Sequence, residues 1–310
     1  MGQHRLKNVA ASVRQRLLNR ARERDEEYQL ILERYVQERF LRRLEQSRHE
    51  EAFVLKGATL FIPWQGERHR VTRDLDLLRF GRSDAEHLKE RIEEICQAEV
   101  EEDGVEFQPE TVQVAPIRED QAYGGLRAKV EARIGSARIH LQINVGFGDA
   151  TGPLPERTIF PALLEDFEGP RPRAYSKEAV VAEKFEAMVD LGIANSRMKD
   201  FYDVWFLAGR FAFEGAPLAE AIRRTFERRG TPLPDGKPPV ALTDTFAGDE
   251  MKRKQWDAFV RKGRLQTEQQ SLEEVVSRIR LFLIEPAAAA SQSESLEQRW
   301  PPGGPWEPVA

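Results

Sequence analysis

The chain has 310 residues, 40% of them hydrophobic, with a mean hydropathy of -0.57, enough apolar material for at least one core and enough length for two subdomains. Its formal net charge of -5 gives no whole-molecule attraction for nucleic acid. No window approaches the roughly 18 uninterrupted apolar residues of a membrane span, and the N-terminus, charged from Arg5 onward, lacks the apolar core of a signal peptide, so the expectation is a soluble, cytoplasmic protein with no membrane partner.

In chain order, Val9 to Gln46 reads as a pair of helices. Leu17, Leu18, Tyr28, Leu30, Ile31, Tyr35, Val36, Phe40 and Leu44 recur at threes and fours, with no glycine or proline to mark a break. Residues 1–50 carry 12 Lys or Arg against 8 Asp or Glu. Such a stretch suits either contact with phosphate or a solvated face of mixed ion pairs. Phe53 to Phe61 is apolar and broken by Gly57, a short strand or turn feeding a helix. Asp74-Leu75-Asp76-Leu77 alternates as a half-buried strand does.

Asp84 to Ala98 predicts a helix with Ser83 as its N-cap. Cys96, the only cysteine, falls there among apolar positions with Ile92 and Ile95 and takes a buried structural role. Val105–Val114, Leu126–Ile134 and Ala137–Val145 predict three strands, the last two joined through Gly135-Ser136, completing a sheet begun at Asp74. Proline and glycine between Gly148 and Pro172 place a boundary there. Helices follow at Ser176–Leu191, Arg197–Gly209, Leu218–Arg228, Asp249–Lys262 and Leu272–Ile284. The division expected is 1–50 N-terminal helices, 51–160 a catalytic core, 161–285 a helical C-terminal subdomain, and 286–310 a disordered tail of alanine, serine, proline and glycine.

Asp74 and Asp76, at i and i+2 of a strand, share one face. Two carboxylates that close repel unless solvated at a strand end or neutralised by a divalent cation, and Mg²⁺ takes one or two carboxylates together with substrate phosphates. An isolated Asp-X-Asp is common in surface turns; Lys56, Gly57 and Thr59 shortly upstream distinguish this one, since a triphosphate site needs a glycine whose backbone can approach and a hydroxyl beside it. Further on, Lys184 lies beside the apolar stripe of Val181, Phe185 and Met188. Lys199 and Asp203 stand at i,i+4, and Asp200 and Asp203 at i,i+3, on the next helix; local ion pairs at a helix start are the plain alternative there.

Five ordered segments, Leu55–Leu60, Arg70–Leu78, Leu141–Asp149, Ala182–Phe185 and Lys199–Asp203, resemble the AbiEii/AbiGii toxin family of nucleotidyltransferases, and the resemblance spans roughly residues 5 to 285. It implies an α+β protein: a mixed β-sheet of the DNA polymerase β-like nucleotidyltransferase fold with flanking helices, followed by a helical C-terminal half. It also implies a metal-dependent enzyme of a toxin–antitoxin or phage-defence module, akin to the MenT-type enzymes. Such an enzyme uses Mg²⁺ or Mn²⁺ and a nucleoside triphosphate, GTP or a pyrimidine triphosphate, with tRNA as acceptor and an AbiEi-like antitoxin as partner.

Carried over by position, Asp74 and Asp76 match the metal-binding aspartates, while Lys56, Gly57, Thr59, Arg73, Lys184 and Lys199 fall to nucleotide binding. Lys184, Asp200 and Asp203 join the catalytic set. Two departures stand out. Ala58 replaces a frequent second glycine, and Asn144 stands where many relatives carry an aspartate. An amide oxygen can ligate metal but cannot take a proton at neutral pH, so Asn144 is retained as a metal ligand, Asp149 is a substitute carboxylate, and the alternative function is a nucleotide- or antitoxin-binding protein without turnover. A sequence-specific DNA-binding regulator fits less well, since no helix-turn-helix is evident.

Overall fold

The computed structural model describes residues 8–66, 70–81, 84–117, 125–148, 154–263, 265 and 270–309. The chain forms two compact units, one reaching Gly148 and including Glu156–Ala174, the other running from Tyr175 onward.

The first unit opens with α1 (Val9–Glu23) and α2 (Tyr28–Gln46). Their break falls at Asp25, whose φ of 50° ends the first helix without glycine or proline; Asp is among the few non-glycine residues that tolerate the left-handed region. β1 (Phe53–Lys56), α3 (Phe61–Gln65), β2 (Asp74–Arg79) and α4 (Ala85–Cys96) follow. The cap of α4 is Asp84, whose Oδ1 accepts from the His87 backbone N–H at 2.9 Å, in place of Ser83, which lies outside the described residues. Then come β3 (Glu106–Pro116), β4 (Leu126–Ile134), β5 (Ala137–Phe147), β6 (Glu156–Arg157) and β7 (Arg173–Ala174).

These strands make one mixed seven-stranded sheet in the order β3-β4-β5-β2-β1-β7-β6. β2 runs parallel to β5 and antiparallel to β1. Period-2 alternation builds its core: Leu75 and Leu77 of β2, Ala128 and Val130 of β4, and Ile143 and Val145 of β5 are all buried, leaving the polar set on the other face.

The basic residues of α2 turn inward. Arg34, Arg39 and Arg43 are buried, and Arg43 reaches Asp103 at 2.7 and 3.2 Å and the Val105 carbonyl at 2.9 Å. Glu38 accepts from the Leu163 N–H at 2.8 Å and Arg39 donates to the Glu168 carbonyl at 3.0 Å. Much of the N-terminal positive charge is thus held in internal pairing, and residues 161–174 belong to the sheet unit, not to the helical half.

The second unit is helical: α5 (Lys177–Leu191), α6 (Met198–Arg210), β8 (Phe213–Glu214), α7 (Gly215–Arg229), α8 (Asp244–Gly248), α9 (Glu250–Gly263) and α10 (Leu272–Gln292). Here the structure departs from the expected disordered tail. α10 continues through Pro286, with Ala287, Ala289 and Ala290 buried. β9 (Gln298–Trp300) and β10 (Glu307–Pro308) then join β8 in a second sheet. Trp300 is only 2% exposed and its Nε1 donates to the Ala208 carbonyl at 2.7 Å. The composition is misleading because alanine is both a low-complexity residue and the best helix former, and two tryptophans suffice to anchor the strands beyond α10. Among the described residues no helix is long and apolar enough to cross a membrane.

Candidate active site

Strand register assembles the site. Parallel pairing of β2 with β5 sets Asp74 beside Gln142 and Asp76 beside Asn144. The other neighbour of β5 adds Arg127 opposite Asn144 and Lys129 opposite Gln142, and β1 sets Lys56 opposite Asp76. One row across four strands therefore reads Arg127, Asn144, Asp76, Lys56. All four are half-buried, on the face opposite the core.

The two carboxylates are held by amides. Gln142 Nε2 donates to Asp74 Oδ1 at 2.7 Å, and Asn144 Nδ2 donates to Asp76 Oδ1 at 3.0 Å and Asp74 Oδ2 at 3.3 Å. Asp76 Oδ2 lies against Gly57: a Cβ on that glycine would sit 2.3 Å from it, and Gly57 adopts a φ of 74°. Both facts require glycine there.

Beside this group, the other residues singled out by sequence are placed unequally. Thr59 is fully buried and its Oγ1 has no hydrogen-bond partner among the described residues, behind the glycine turn and not on its surface. Arg73 is exposed and lies 3.8 Å from Glu33. Asp149 is outside the described residues. Among the described residues no group of three or more His, Cys, Asp and Glu side chains could hold a metal. The donor set is two carboxylates, which suits a hard divalent cation completing its shell from substrate phosphates and water.

In the second unit, Lys184 of α5 meets both aspartates of α6, at 2.7 Å to Asp200 Oδ1 and 2.8 Å to Asp203 Oδ2, while Arg197 Nε reaches Asp200 Oδ2 at 2.7 Å. Both carboxylates are fully buried. Lys199 is exposed, so the expected i,i+4 partnership with Asp203 gives way to the inter-helix pair with Lys184. Burial pushes the Asp200 carboxyl up, yet Lys184, Arg197 and Lys199 outweigh it and hold it below its ordinary 3.8.

The residues sequence reasoning missed are Gln142 and Arg127. Gln142 stands at i-2 from Asn144 on β5, a period-2 signal available in the sequence; Arg127 comes from a separate strand, and only register brings it in.

Comparison with known families decides what this arrangement belongs to. Residues 39–278, more than half the chain, match the model described as nucleotidyl transferase AbiEii toxin, type IV TA system. The chain belongs to the AbiEii nucleotidyltransferase family. It is accordingly a nucleotidyltransferase, and its family is that of the toxins of type IV toxin–antitoxin systems. No curated protein matches. Two solved structures are similar: a protein from H. pylori titled as a candidate nucleotidyltransferase, at 15% identity and a TM-score of 0.47, covering 86% of this chain and 96% of its own; and JHP933 from Helicobacter pylori, at 15% identity and 0.46, covering 86% and 94%. Membership of the AbiEii family stands on the sequence match and not on these two.

Proposed function

We propose that this AbiEii-family chain transfers a nucleotide from a nucleoside triphosphate to the end of an acceptor nucleic acid such as tRNA, with Asp74 and Asp76 holding a divalent cation, Mg²⁺ or Mn²⁺. The observation that carries it is the pair of half-buried carboxylates on one sheet face, with the Gly57 backbone pressed against the second. When bound, the cation neutralises charge on the triphosphate.

The chain's own residues do the rest. Gly57 leaves room for phosphate oxygens beside Asp76 because it carries no side chain, and Lys56, next to it in register, supplies positive charge. Lys56 and the Gly57 turn orient the triphosphate for in-line attack by an acceptor hydroxyl on the α-phosphorus; the new P–O bond forms as the bond to the β-phosphate oxygen breaks, pyrophosphate leaves, and the hydroxyl proton passes to solvent. A protein antitoxin acting in the cytoplasm is the partner that the toxin–antitoxin setting supports.

The Lys184–Asp200–Asp203 cluster, its two carboxylates fully buried, reads as a support that locks α5 to α6. A carboxylate held ionised below its ordinary range makes a poor general base.

The test is incubation of the purified protein with Mg²⁺, each labelled triphosphate and host RNA or protein, beside an Asp74→Ala, Asp76→Ala variant. Label transferred by the wild type alone supports the reading and identifies the acceptor. Metal-dependent nucleotide binding without transfer favours the second reading, binding without turnover, which the Asn144 amide in place of a third carboxylate motivates.

A further inference from the structure

Asn144 is gripped from both sides by groups of opposite kind. Arg127 Nε donates to its Oδ1 at 2.9 Å, while its Nδ2 donates to both aspartates. Turning the amide by half a rotation would put its oxygen against two carboxylates and its NH₂ against the Arg127 N–H, so the neighbours permit one orientation only. In that orientation the oxygen able to ligate a cation faces away from the aspartates.

Three of the four carboxylate oxygens accept from the Gln142 and Asn144 amides. Asp74 Oδ1 accepts from Gln142, Asp74 Oδ2 and Asp76 Oδ1 accept from the same Asn144 nitrogen, and Asp76 Oδ2 lies beside Gly57. Two oxygens that share one N–H₂ donor converge on a common point, and there a cation held by the aspartates would compete with the amide.

We propose that Arg127 and Asn144 form a positioning pair that excludes Asn144 from the cation's ligands and caps the aspartates, so that the site discriminates against the bare ion and favours a cation delivered on a triphosphate. Arg127 fixes the amide, and the amide occupies the carboxylates. A cation carrying phosphate oxygens would bring the triphosphate's own contacts with the protein with which to displace the amide; a hydrated ion without nucleotide would bring only water. This inference rests on the proposed role of Asp74 and Asp76 in holding the cation.

The experiment is calorimetric titration of Mn²⁺, without nucleotide, into the full-length wild type, Asn144→Ala, Arg127→Met, the Asn144→Ala, Arg127→Met double variant, and Asp74→Ala, Asp76→Ala, each first confirmed as folded by circular dichroism. Removing the cap is expected to tighten Mn²⁺ binding by roughly tenfold, because the ion no longer has to displace hydrogen bonds made to charged carboxylates, whose net strength corresponds to about that factor. Arg127→Met also tightens it, and the double variant binds no more tightly than Asn144→Ala alone, because Arg127 acts through the amide.

Weaker binding by Asn144→Ala would make Asn144 a ligand and overturn the proposal, as would equal affinity in wild type and Asn144→Ala. Additive effects would assign Arg127 a purely electrostatic influence and overturn the pairing. If instead Asp74→Ala, Asp76→Ala binds Mn²⁺ as the wild type does, the ion sits elsewhere and the reading of the aspartates fails.

Discussion

Gly57 shows how tightly single residues constrain this site. Its φ of 74° alone makes any other residue cost about 1–2 kcal/mol, and the added Cβ would meet Asp76 Oδ2 at 2.3 Å. Gly57→Ala is therefore expected to abolish nucleotide transfer while lowering the melting temperature only modestly; a melt and a labelled-triphosphate assay on the same preparation separate the two effects. Asn144→Asp makes a complementary case. Without metal, a third carboxylate beside Asp74 and Asp76 adds like-charge repulsion that Arg127 offsets only in part, so the variant should melt lower than wild type and recover more of its stability on adding Mn²⁺. At this scale the sequence was informative where one strand sufficed: Asp74 and Asp76 share a face by spacing alone. It was silent on Arg127, because which residue stands opposite Asn144 depends on how two strands pair, and no local pattern encodes that.

At the scale of elements, two buried ion clusters join helices to their surroundings. Arg43 on α2 spans Asp103 and Val105, and Asp103→Ala strands a buried guanidinium, an expected loss of about 3–5 kcal/mol measurable by denaturant titration. The α5–α6 cluster adds a pH dependence whose sign follows from Asp200. Its folded pKa is lowered, so its contribution to stability is fully present above the unfolded value near 3.8 and is lost as pH falls through the folded value. Melts between pH 7 and pH 2 should show that acid loss, and Asp200→Asn should flatten it at a lower overall stability. The sequence placed Lys184, Asp200 and Asp203 on the right helices but paired Asp203 with Lys199. Spacing along one helix shows which residues are neighbours; it does not show which face is buried, and here burial selects Lys184 and leaves Lys199 in solvent.

For the molecule as a whole, the sheet half was legible because strands built from alternating residues announce their faces, and the α+β architecture follows. The C-terminal end was not, since its ordering comes from a few aromatic side chains and not from any periodic pattern. Phe213, Phe282, Trp300 and Trp306 form one ring cluster, with centroids 5.0 Å apart for Phe213–Phe282 and Phe282–Trp300 and 5.5 Å for the two tryptophans. Trp306 Nε1 also donates to the Phe282 carbonyl at 3.0 Å, so α10 is clasped by the strands that come after it. Trp300→Ala should cost about 3–5 kcal/mol, the range for removing a large buried aromatic side chain, and deleting residues 298–310 should cost at least as much, because it also uncovers Phe213 and Phe282. Thermal melts of the two variants beside wild type measure this. An unchanged melting temperature in the deletion would mean that the segment lies loose in solution, as its composition alone suggests, while a drop shared by both variants would make the last thirteen residues part of the helical unit's core.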